Sequence, residues 1–185
     1  MSVFSFRRPH VDRATAGGPF SYPEVGQTRD GQLPRRYHHI EVSRVLGQGA
    51  ATFQAARSAL RDWAGHRAAG IDVGHPPPLL EPGQVVRLVV RVQPLWASLH
   101  DRIVWVLDEP GRFGFAYGTL AAHAERGEES FLVEHFDDDR VVLAVRAFSR
   151  QAHWLSRLGW PVARLVQARA TRAYLDGVAA AVRDA

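Results

Sequence analysis

No cysteine occurs anywhere in the 185 residues, which excludes disulfides, thiol nucleophiles and thiolate metal sites. Lysine is missing too: all 23 basic side chains are arginine, so the pI reaches about 10.3 although the formal net charge is only +4. The arginines are spread along the chain without a run of five or six. That pattern reads as a solvated basic surface and argues against a nucleic-acid partner. No apolar run approaches the roughly 18 residues of a membrane span, and no apolar segment follows Arg7 and Arg8. The expectation is a cytoplasmic protein with neither signal peptide nor span. A G-x-S-x-G elbow, a P-loop and a dinucleotide fingerprint are all absent.

What is present suits one domain with one core. Residues 1–36, punctuated by proline and glycine but anchored by Phe4, Phe6, Phe20 and Tyr22, read as an extended arm packed on a domain spanning 37–185. Tyr37–Leu46 reads as a strand whose apolar parity shifts at Val45, the mark of a bulge. Gly49–His66 carries Phe53, Ala56, Leu60, Trp63 and Ala64 at helical spacing, with Thr52 as a candidate cap. The prolines between Ile71 and Gly83 indicate a connector.

From Gln84 the period becomes two, with Val86, Leu88, Val90 and Val92 on one face of a strand. Arg102–Leu107, Phe113–Tyr117, Phe131–Phe136 and Val141–Phe148 read as further strands. Short turns at Asp108–Gly111 and Asp137–Asp139 make them an antiparallel meander. Then helical spacing returns. A short helix, a break at Gly159–Trp160–Pro161 and a long helix from Pro161 to about Val182 are expected. The fold class that follows is α+β: a curved antiparallel sheet wrapped around a long C-terminal helix, the only element long enough to cover it.

Between two of those strands lies Tyr117–Phe131, a polar link longer than the roughly two to five residues a hairpin needs. This run (YGTLAAHAERGEESF), with SYPEVGQT at Ser21–Thr28, RAFSR at Arg146–Arg150 and LSRLGWPVARLVQARATRAYL from Leu155, resembles the domain-of-unknown-function family numbered nineteen-ninety. The similarity covers Phe20 to Val182. It implies a START-like helix-grip fold of the SRPBCC superfamily, whose members bind lipids, hormones and other hydrophobic ligands, and it implies no particular activity.

The candidate ligand-binding residues are Tyr117, Thr119, His123, Glu125, Glu128, Glu129, Arg146 and Phe148, forming a polar mouth over an apolar cavity between sheet and helix. Glu129 shares parity with Phe131 and Val133, so it points inward if that face is buried. An inward carboxyl has a raised pKa unless an arginine pairs with it. The bland alternative leaves Gly127 making a turn and the glutamates in water, or one glutamate paired with Arg146. His38, His39, His123, Glu125 and His135 lack any metal-ligand spacing, so no metal and no cofactor is assigned. Three functions compete. The leading one is binding of a small hydrophobic or amphipathic molecule. The others are an enzyme using His123 and a glutamate as acid and base, and a purely structural or interaction domain. Oligomeric state is not legible.

Overall fold

The computed structural model describes residues 4–9, 18–29, 31–74, 77–121, 123, 125–151 and 160–185, with the side chains of 92 and 160–166 excepted. Its elements are β1 (Phe4–Ser5), β2 (His38–Gln48), α1 (Gly49–Arg61), α2 (Ala64–Ala68), β3 (Ile71–Asp72), β4 (Val85–Val92), β5 (Leu95–Glu109), β6 (Arg112–Thr119), β7 (Glu125–His135), β8 (Arg140–Gln151) and α3 (Trp160–Arg183). The strands pair antiparallel in the order β2-β8-β7-β6-β5-β4-β3, and β1 joins β5. This is the curled antiparallel sheet with a C-terminal helix expected from the sequence.

Alternation sorts the side chains onto two faces. Val86, Leu88, Phe113, Phe115, Phe131, Val133, Leu143 and Val145 meet Phe53, Leu60 and Trp63 of the first helical segment and Tyr174 and Val178 of α3 in the main core. That is the concave side. Trp105, Leu107 and Ala116 form a separate cluster on the convex side. Tyr22, Tyr37 and Phe148 form another there, joined by Phe20 and Leu33. The helices approach closely where Gly177 lies on α2: a Cβ at that position would fall 2.3 Å from that of Ala68.

Several boundaries differ from the sequence expectation. The first helix is broken, because Trp63 takes a left-handed backbone (φ 57°) between α1 and α2. Such a conformation costs about 1–2 kcal/mol. Burial of its indole against Phe115 and Tyr117 offsets that cost. Thr52 does not cap α1; its hydroxyl donates back to the Gln48 carbonyl, 2.6 Å. The connector contains β3, paired with Val89 and Val90 before the prolines begin. The bulge foreseen in the first strand lies between Val45 and Gly47.

β5 begins seven residues ahead of the expected Arg102. A register shift between Ile103 and Trp105 flips its parity midway, which hides the alternation. The largest change concerns the central link. β7 starts at Glu125, so Glu128 pairs with Gly118 and Glu129 with Tyr117, and the connection shrinks to residues 120–124. α3 extends over Trp160–Arg183, close to its expected span, while the short helix expected before it lies outside the described residues.

Candidate functional site

Consecutive strand residues face opposite ways, and Glu128 and Glu129 do so on β7. Glu128 is buried on the convex side under the chain segment Ser21–Thr28. Its carboxylate accepts hydrogen bonds from the Tyr22 hydroxyl (2.8 Å), the Gly26 amide (2.7 Å), the Thr28 amide (3.1 Å) and the Thr28 hydroxyl. The Trp105 indole N–H in turn donates to Thr28 Oγ1, 3.2 Å. Gly118 makes room for this arrangement, since a Cβ there would fall 2.0 Å from the Tyr22 oxygen. Burial and the Glu128 charge push the Tyr22 hydroxyl well above its usual pKa.

Thr119 ties the same segment to the hairpin. Its hydroxyl lies 2.6 Å from Ser21 Oγ and accepts from the Gly127 amide at 3.0 Å, and the Ser21 amide donates to the Thr119 carbonyl at 2.9 Å.

Glu129 faces the concave side. It accepts a 2.6 Å hydrogen bond from the Tyr117 hydroxyl, and His66 Nε2 lies 3.0 Å from the same tyrosine oxygen. Because Tyr117 donates to Glu129, its oxygen is left to accept from an Nε2–H tautomer of His66. His66 is buried in an aromatic cage of Trp63, Phe115, Phe131 and Tyr174, and desolvation lowers its pKa to about 3. It is therefore neutral. Burial, with a smaller contribution from Glu125, raises Glu129 to about 7, although the Tyr117 hydrogen bond pulls the other way. The Tyr117 and Tyr174 hydroxyls are raised by burial first and then by the Glu129 charge.

Two further carboxyls stand beside Glu129. Asp101 on β5 is 1% exposed, and neither of its oxygens has a hydrogen-bond partner among the described residues. Burial, then Glu129 and Glu125, raise it well above the carboxylate range. Glu125 is raised by burial as well, while hydrogen bonds from Ser149 and Gln151 oppose the shift. The Gln151 bond is 3.1 Å long. His123 Nε2 approaches Asp101 to 3.9 Å, and its Nδ1 lies 3.0 Å from the Glu125 amide. Desolvation lowers His123 to about 4, so a neutral imidazole faces Asp101. No group of three or more His, Asp or Glu among the described residues is placed to hold a metal ion.

The family model described as "Domain of unknown function (DUF1990)" matches residues 21–177. The chain belongs to this family. A UPF0548 protein of Deinococcus radiodurans is 34% identical to it over 174 residues, covering 83% of each chain. One from Dictyostelium discoideum is 30% identical over 169 residues, covering 80% of this chain and 78% of that relative. Among solved structures, the Zhui aromatase/cyclase from Streptomyces superposes with a TM-score of 0.56 at 19% identity, covering 80% of this chain and 94% of its own. A protein from Thermus thermophilus gives 0.56 at 11% identity, covering 80% and 98%. At such identities these likenesses establish the fold, a START-like helix grip, and nothing about chemistry. No helix among the described residues of this DUF1990 chain is long and apolar enough to cross a membrane.

The eight residues singled out from the sequence fall into three groups. Tyr117, Glu129, Glu125 and His123 converge near Asp101 on the concave side. Glu128 and Phe148 belong to the convex side, where Phe148 packs edge-on against Tyr22 and Tyr37. Arg146 also lies there, 3.6 Å from Glu41 on the neighbouring strand, and pairs with no glutamate of the central motif. Thr119 is spent on the hairpin knot. Asp101, His66 and Tyr174 were not anticipated: Asp101 sits between His100 and Arg102 and reads as surface, and His66 closes what looks like an ordinary helix.

Proposed function

We propose that the protein binds a small hydrophobic or amphipathic molecule on the concave side of the sheet, between it and α3. The polar end of that molecule would sit against Asp101, His123, Glu125 and Glu129. On this reading residues 37–185 are the binding domain and residues 1–36 an arm packed on it, whose segment Ser21–Thr28 lies against the opposite face. The observation that carries it is Asp101. A buried carboxyl without a partner is costly, by roughly several kcal/mol if ionised, and native interiors seldom tolerate one without a use. Perturbed carboxyls of this kind cluster at functional sites. Native mass spectrometry of protein isolated gently from its host tests the reading. A small-molecule adduct released on collisional activation is expected. A bare polypeptide mass, together with no uptake of any single-chain amphiphile, would overturn it.

Acid–base catalysis is the second reading, and one observation favours it. A carboxyl titrating near 7, hydrogen-bonded through a tyrosine to a neutral histidine, is matched to proton transfer at neutral pH. It would place Glu129, with Tyr117, in the role first considered for His123.

A further inference from the structure

We infer that the ligand's polar end is a cationic amine, received by Asp101, Glu125 and Glu129. This rests on reading the concave side as the ligand site and names the chemistry that site would take. Asp101 on β5 and Glu125 and Glu129 on β7 face that side across β6, near enough for both glutamates to act on Asp101. Burial is the largest influence on all three, followed at Asp101 by repulsion from Glu129 and Glu125, and no arginine among the described residues acts appreciably on any of them. The contrast with the surface is plain. There Asp108 is gripped by Arg57 and Arg61, and Glu134 by Arg112.

Glu129 has one tyrosine donor and Glu125 has Gln151 and Ser149, but both oxygens of Asp101 remain unpartnered and buried. An ammonium group supplies three N–H donors and one positive charge, which answers both deficits at once. An anionic headgroup would bring a further negative charge to a site that already disfavours its own carboxylates. A divalent metal ion finds no ligand set among the described residues. Leu99 and Ile103 share the face of Asp101, so apolar side chains flank the carboxyl along β5 and suit the rest of such a molecule.

Isothermal titration calorimetry of the intact protein with decylamine, 1-decanol and decanoate, the alcohol below its solubility limit and the ions below their micellar concentrations, tests this. Decylamine is expected to bind at least about ten-fold more tightly than decanol, the usual worth of a charge-assisted contact, with decanoate weakest. Asp101→Asn and Glu129→Gln should each remove about that ten-fold advantage, and a far-ultraviolet circular dichroism spectrum matching the parent's shows the variants folded. Equal affinity for decylamine and decanol, or tightest binding of decanoate, overturns the amine assignment while leaving the concave ligand site standing. So does a decylamine preference that survives both substitutions. Failure of all three probes to bind removes the ligand site itself. The amine-to-alcohol ratio of the unsubstituted protein decides the matter even if a variant does not fold.

Discussion

Glu128 and Glu129 are neighbours in sequence with contrasting surroundings. The first is saturated by four donors drawn from Tyr22, Gly26 and Thr28. The second has Tyr117 for a partner and other carboxyls close by. A carboxylate enclosed by donors holds structure, because each donor would otherwise be buried unpaired. A carboxyl among carboxyls and aromatic rings holds little together and is left responsive to protons and ligands. One strand thus carries a clasp on its convex side and a sensor on its concave side.

The contrast can be broken most forcefully at the clasp. Glu128→Ala should cost about 3–5 kcal/mol, since it strands three buried donors and the partly buried Gly26 amide. Urea denaturation followed by tryptophan fluorescence would show the midpoint falling. Next comes Gly118→Ala, which drives a methyl group into the Tyr22 hydroxyl. An overpacking cost of about 2–3 kcal/mol is expected, and proton NMR should show the Tyr22 environment altered with Tyr117 undisturbed.

The sensor side predicts a pH dependence of opposite origin. The pKa of Glu129 is raised from 4.5 to about 7, so its contribution to stability is fully present below about 4.5 and is lost as pH rises through 7. The loss amounts to at most about 3 kcal/mol, less to the extent that water reaches the partly exposed carboxyl. His66 and His123, whose pKa values are lowered, work the other way and lose stability as pH falls below about 6.5. Comparing the protein with Glu129→Gln at pH 5 and pH 8 isolates the first effect: the variant should lose less stability over that interval. The smallest change is expected far from both sites. Arg57→Ala, which breaks an exposed pair with Asp108, should shift stability by about 0–1 kcal/mol and leave the pH profile intact.

Much of the architecture could be read in advance because burial imposes period. Val86, Leu88 and Val90 announce a strand with one covered face, and the apolar positions of α3 mark the long helix across from it. Where the reading stopped, packing had overruled local preference. Trp63 breaks a continuous helical pattern because its indole is worth more in the core than a regular backbone is locally. The start of β7 looked like a loop because its glutamates are polar on both faces, each satisfied by groups distant in sequence. Parity placed Glu129 inward, and the same parity places Glu128 outward, so the two could not have shared one mouth. Asp101 carried no signal. Its significance comes from a fold that brings β5 beside β7 through β6, and from a parity switch at Ile103–Trp105 that composition does not reveal.

The central claim is that the two adjacent glutamates do separate work, and urea denaturation of Glu128→Gln and Glu129→Gln side by side at pH 8 tests it directly. Glu128→Gln should fall below the parent protein by several kcal/mol, about 2–4, because an amide presents donors where only acceptors fit. Glu129→Gln keeps an acceptor for Tyr117 and sheds a poorly solvated charge, so it should be at least as stable as the parent. If Glu129→Gln instead loses as much as Glu128→Gln, both glutamates are clasps, and the concave cluster is architecture rather than a site.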